Sequence, residues 1–258
     1  MTAVDEHWSV DFASDDGVGG FVRLARVGDR CWFWCYLVGE GIGLVAVRDH
    51  EVAPPRRPNV LEIRADALWA ELVCETPGEH WGIGLEAFGL RLDAPIDAWT
   101  TEIGDRVAVG LDLEWEVDAG GAPYGVVHGD VLLERDRLEV EAIGALTHVS
   151  APDTAWPTEW TGWCRFPDGR WDRIVGGSAT TDAAGIVVPV EVRMSDGISA
   201  ACEARAVVPV PLEPGPPGDA RGRGPALVRV LTGVATTGED APTAGSMTGI
   251  GWVEVLQS

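Results

Sequence analysis

Between residues 106 and 148 the chain carries six groups that could move a proton on a bound substrate: Asp112, Glu114, Tyr124, His128, Asp130 and His148. Protonating an alkene needs a carboxylic acid or an imidazolium in a setting shielded from water, where burial favours the uncharged form of a carboxyl group. Asp112, Glu114, Asp130 and His148 are the acid candidates. Tyr124 and His128 could act otherwise, as hydrogen-bond donors that hold a flexible substrate in its reactive shape. Good positioning of that kind is worth up to ~7–11 kcal/mol of a barrier. No metal is expected, because the five histidines (His7, His50, His80, His128 and His148) form no HxH or HExxH pattern. No cofactor is expected either. There is no GxSxG elbow, and the glycines of GVGG and RGRG read as loop residues.

The elements that must hold these groups read as strands. RVAVGLDLEWEVD alternates without interruption, with Val107, Val109, Leu111, Leu113, Trp115 and Val117 on one face and Asp112, Glu114 and Glu116 on the other. Period two over this length is a long strand. DAGGAP is a turn, and YGVVHGDVLLE and LEVEAIGAL are the next two strands, with His148 just past a strand end. One face of such a sheet lines a cup and the other meets solvent. If the carboxylates are outside, Trp115 points into the core, which is the usual arrangement of a half-exposed antiparallel sheet.

The rest of the chain repeats this style. HWSVDF, FVRLARV, CWFWCYLVG and IGLVAVRD are strands, and VLEIRADALWAELVCE reads as two more rather than a helix. GIGLEAFGLRLDAP reads as a hairpin. After Trp156 come WTGWCRF, RWDRIVGG, IVVPVEVRM, ISAACEARAVV, ALVRVLTGVA and IGWVEVLQS. The breaker-rich loop 209–225 reads as a cap over a cavity mouth. The fold class is all-β, with two packed antiparallel barrel or sandwich halves, residues 1–120 and 121–258, meeting at the turn 118–123.

Composition narrows the partners. The net charge is −22, from 41 acidic and 19 basic residues, none of them Lys. Schiff-base chemistry on a lysine is excluded, and nucleic acid would be repelled. No window has the ~18 apolar residues of a membrane span, and MTAVDEHWSV lacks an apolar run, so a cytoplasmic setting without membrane insertion is expected. Five cysteines, an odd number, fit free thiols. Cys31 and Cys35 lie in one strand, ~13 Å apart at ~3.3 Å per residue, too far for a disulfide. Twelve tryptophans against two tyrosines suggest either a Trp-rich core or an aromatic-lined cavity for a hydrophobic ligand. Trp115, Trp156, Trp160, Trp32 and Trp34 are the candidate walls.

Several landmarks are similar to those of the two-part lipocalin-like family of carotenoid 1,2-hydratases, to which Diels–Alderase-type natural-product cyclases are related in fold. They are Trp8 with Asp15–Asp16, the strand GGFVRLARVGDR, ETPGEHWGI, Tyr124 with His128 and Gly129, His148, and Gly249, Gly251, Trp252 and Glu254. The family's Arg-Asp-His-Ser-Trp-Gly turn is LTHVSAP here and keeps only His148. The resemblance implies two lipocalin-like halves and a cofactor-independent cyclase, or a hydratase or isomerase, acting on a hydrophobic polyene, terpenoid or polyketide-like substrate. A carrier without chemistry is the reading from a different class. Association as a homodimer is left open.

Overall fold

The computed structural model describes residues 4–57, 60–99, 104–119, 121–154, 160–212, 226–236 and 248–257. It is all-β, as expected, and its strands close into two antiparallel barrels, of eight and six strands. No helix among the described residues is long and apolar enough to cross a membrane.

The chain divides into two compact units, Thr2–Asp93 with Ile103–Trp156, and Ala94–Glu102 with Pro157–Ser258. The break expected at 120/121 is therefore displaced. Asp118, Ala119 and Gly121–Pro123 lie in the turn of a hairpin inside one sheet, with Asp118 N donating to Tyr124 O at 3.0 Å and Gly121 N to Asp118 O at 2.8 Å.

The first unit contains β1 (Val4–Ala13), β2 (Gly19–Val27), β3 (Arg30–Gly39), β4 (Gly43–Val52), β5 (Ile63–Ala65), β6 (Leu68–Thr76), β7 (His80–Leu92), β8 (Asp105–Val117), β9 (Tyr124–Leu133) and β10 (Asp136–Thr154). Their order is β4-β3-β2-β1-β10-β9-β8-β7-β6-β5, and β4 returns to pair with β7, closing eight strands into a ring with β6 and β5 as a flap. Alternation decides what goes inside. Trp8, Val10 and Phe12 of β1, Cys31, Phe33, Cys35 and Leu37 of β3, and Val107 through Trp115 at every second position of β8 belong to one buried cluster. Each aliphatic side chain of this size contributes ~1.5–3 kcal/mol when fully buried.

Three local expectations are corrected. GIGLEAFGLRLDAP is no hairpin but part of the single strand β7. Its Gly89 sits where β4 crosses, and a Cβ there would lie 2.8 Å from Ala46 O. His148 is not beyond a strand end, because LTHVSAP continues β10 and pairs with β1, Trp8 opposite His148. The loop 209–225 begins later than expected: Pro209–Pro211 still pair in a strand, and 213–225 lie outside the described residues.

The second unit contains the 3-10 turn Pro95–Trp99 and β11 (Thr161–Arg165), β12 (Trp171–Thr181), β13 (Val187–Met194), β14 (Ser199–Pro211), β15 (Ala226–Thr236) and β16 (Thr248–Gln257), with β11 closing onto β16. The closure explains the Gly-x-Gly-Trp-x-Glu strand. A Cβ on Gly251 would lie 1.9 Å from Trp163 O, so only glycine lets β11 approach. Glu254 faces its register partner Arg229, Oε2 to Nε 3.2 Å, and both side chains are buried.

Candidate functional site

One end of the eight-stranded barrel is where β1, β3 and β7 begin and β2, β4, β6 and β10 end. Its seam is incomplete there. β4 pairs with β7 only through Leu44–Ala46, and β6 takes over the β7 edge from Leu68 onward. Pro54–Arg57, which follow β4, and Leu61, which precedes β5, border the gap. Val52, just before the first group, is buried and paired with Cys31, and Leu61 N donates to Leu72 O at 2.9 Å. The result is a cleft of about 510 Å3, within the range of ~300–1,000 Å3 usual for small-molecule sites.

Its walls are Trp8 and Trp81, with Leu61 and the prolines Pro54, Pro55 and Pro77. Its carboxyl, thiol and imidazole groups come from four strands, Glu6 from β1, Cys31 from β3, Cys74 from β6 and His148 from β10, and Arg26, Arg56 and Arg57 also line it. His148 stands on the inward register of β10, following Val140, Ala142 and Leu146, but at the rim, so its side chain is 44% exposed. Its Nε2 lies 2.8 Å from Glu6 Oε1. Its ring stacks on Trp8, centroids 4.9 Å apart and planes 9° from parallel. A carboxylate on one ring nitrogen fixes the tautomer and leaves the other nitrogen for chemistry. Burial pushes the Cys31 thiol up to about 11, with Glu6 adding and Arg26 opposing. Cys74 is raised by burial and by Glu75. Neither is an activated nucleophile.

The structure brings His148 into this cleft and leaves the other described candidates elsewhere. Asp112 and Glu114 are exposed on the outside of β8, while Trp115 is fully buried inside. The acid candidates on β8 are thus water-facing, the alternative that alternation left open. Tyr124, His128 and Asp130 also point outward on β9, where Asp130 is ion-paired with Arg137. Trp32 and Trp34 are buried on the face of β3 opposite Cys31 and Phe33, edge-on to His50 at 5.1 and 5.6 Å. Trp160 packs against the core of the six-stranded barrel. Trp156 lies outside the described residues.

The outer face holds a cluster that motif scanning could not find. His80 and His128 each place Nε2 3.3 Å from Glu114 Oε2. Ligand atoms of His80, Glu114 and Glu116 lie within 4.8 Å of one another, enough to hold a metal ion. The residues come from three neighbouring strands, through the register pairs His80–Glu116 and Glu114–His128, so no linear spacing betrays them. In the cleft, the reading of the sequence missed Glu6, Trp81 and Arg26. Glu6 carried a weak cue, since it shares the inward alternation of Trp8 and Val10.

No protein-family model matches the chain. No curated protein matches it either. Solved structures do. Kievitone hydratase from Nectria haematococca aligns with a TM-score of 0.52 at 9% identity, over 99% of this chain and 89% of that chain. CghA aligns with a TM-score of 0.49 at 12% identity, over 98% and 87%. The likeness to the hydratase is one of fold. The two-part lipocalin-like architecture implied by the sequence landmarks is the architecture found.

Proposed function

We propose that the chain is a cofactor-independent enzyme that cyclises a hydrophobic, unsaturated small molecule by proton transfer in the cleft at the barrel mouth. The observation that carries this reading is His148, bonded to Glu6 and stacked on Trp8 at the rim of a cleft walled by Trp8, Trp81 and Leu61. Glu6 accepts from Nε2–H and holds the ring, so Nδ1 is the exchanging atom. Nδ1–H of the imidazolium gives its proton to one carbon of an alkene. The cation formed closes onto a second alkene of the same molecule. Loss of a neighbouring proton to Nδ1 ends the cycle with no net change in atoms. The walls Trp8 and Trp81 hold the substrate folded and stabilise positive charge over their faces.

Hydration is the second reading, favoured by the exposure of His148 to water and by the hydratase that shares the fold. The first step is the same, and water instead of an internal alkene traps the cation.

A panel of linear polyenes incubated in D2O and followed by mass spectrometry tests both. Cyclisation gives an isomer carrying deuterium, and hydration gives the mass of added water. His148→Gln and Glu6→Gln should lower the rate by about 100-fold or more while ligand binding, read by Trp fluorescence, changes little. Tight binding with no conversion by wild type would make the protein a carrier. Conversion unaffected by His148→Gln would remove the proposed acid.

A further inference from the structure

The charge around the cleft is opposite to the charge of the chain. Carboxylates outnumber arginines by 41 to 19, so an arginine here has acids to spare as partners. Arg30, Arg64, Arg91, Arg137, Arg170 and Arg229 are all ion-paired. The cleft nonetheless collects Arg26, Arg56 and Arg57 around a single lining carboxylate, Glu6, which His148 already occupies, while Glu62 lies outside the lining and meets Arg57 only through its charge. No ion pair joins these three arginines to a described side chain.

Their placement is built rather than incidental. Arg26 is the register partner of both Glu6 and Cys31, which fixes it at the rim. Arg56 and Arg57 follow Pro54–Pro55, whose rings lock two backbone angles. The segment carrying them leaves β4 at Val52, which is paired with Cys31, and both residues line the cleft. Leaving three guanidinium groups together and unpaired is electrostatically unfavourable unless an anion joins them, and guanidinium suits a carboxylate through paired N–H donors.

We propose that the ligand of this cleft is an amphipathic carboxylate: an unsaturated hydrocarbon body against Trp8, Trp81 and Leu61, and a carboxylate held by Arg26, Arg56 and Arg57 at the rim. This rests on the cleft being the substrate site and adds the polar end of the substrate. It also gives His148 a direction, because a carboxylate fixed at the rim sends the alkenes inward past the ring.

The probe is cis-parinaric acid, a fluorescent polyene carboxylate, against its methyl ester, which has the same body and no charge. Wild type should bind the acid at least ~10-fold more tightly than the ester, equivalent to about 1.4 kcal/mol, and the difference should shrink with added salt. That preference in a protein of net charge −22 needs a local positive site. The triple variant Arg26→Gln/Arg56→Gln/Arg57→Gln should bind acid and ester alike, with ester affinity unchanged. The single reversal Arg26→Glu should weaken the acid alone. Circular dichroism confirms folding, and all three side chains are exposed. Equal binding of acid and ester by wild type overturns the carboxylate assignment and leaves the cleft as a site for neutral ligands. An acid preference that survives in the triple variant overturns the role of these arginines. Binding of neither probe overturns the site itself.

Discussion

His148 and Trp8 are direct cross-strand partners, and their rings stack in near-parallel planes 4.9 Å apart. The stack and the 2.8 Å bond to Glu6 together fix the imidazole in two directions. Trp8→Leu keeps the apolar wall but removes the stack. We expect kcat to fall about tenfold, as misorientation of a catalytic group usually costs, with a smaller rise in KM. In NMR spectra, the His148 ring protons should be shifted upfield in wild type and return to ordinary positions in Trp8→Leu. Ring protons that do not move between the two proteins would contradict the stacked arrangement.

His50 makes the fold acid-sensitive. Burial among Trp32 and Trp34, helped by Arg48 and opposed by Asp49, lowers it from 6.5 to about 4. The folded protein therefore holds the ring neutral, while the unfolded chain protonates below 6.5. Its contribution is intact above 6.5 and is lost as the pH falls towards 4. The loss amounts to at most ~3 kcal/mol. His50→Phe should flatten the fall in Tm between these values. A wild-type acid slope equal to that of the variant would show that His50 is not its source.

Cys31 faces the cleft as a neutral thiol. With its pKa near 11 and no exposed surface, it should react with iodoacetamide at pH 8 at least ~100-fold more slowly than an exposed thiol of ordinary acidity. Its rate should rise roughly tenfold per pH unit up to that point, and bound parinarate should protect it. Fast modification at pH 8 would mean that Arg26 activates the sulfur, which would make Cys31 a candidate nucleophile.

Gly251 and Gly82 are both strand glycines with opposite surroundings. A Cβ at Gly251 would meet Trp163 O at 1.9 Å, whereas nothing lies within 4 Å at Gly82. Gly251→Ala should destabilise the six-stranded barrel by about 3 kcal/mol or more, and Gly82→Ala should be neutral or slightly stabilising. Urea unfolding of the two variants checks the contrast. Equal midpoints would refute the close approach of β11 and β16.

The buried pair Arg229–Glu254 should be worth more broken than absent. Glu254→Ala leaves a buried guanidinium uncompensated, at a cost of about 3–5 kcal/mol, while Arg229→Met with Glu254→Leu should recover most of it. Additive losses in the double variant would count against a coupled pair.

Much of the fold was legible because period two is a local property. The alternation of β8 named the inward residues Val107 through Trp115 and left only the choice of side, which burial of a tryptophan against solvation of Glu114 decides. The glycines of β7 misled, since Gly89 serves a strand crossing and not a turn. LTHVSAP misled too, because its partner β1 lies at the far end of the same barrel's sequence and nothing local marks the pairing.

The sequence by itself determined an all-β chain of long antiparallel strands, free thiols, a crowding of indoles and a large negative charge, since each follows from composition or from the spacing of neighbours. The tertiary structure decided which histidine meets a carboxylate in the cleft, at a separation of 142 residues, and that Arg26 joins Arg56 and Arg57. It also moved the tryptophan walls from Trp32 and Trp34 to Trp8 and Trp81. Such groupings depend on barrel closure and on where the seam between β4 and β7 opens, and closure is a relation between strands far apart in the chain.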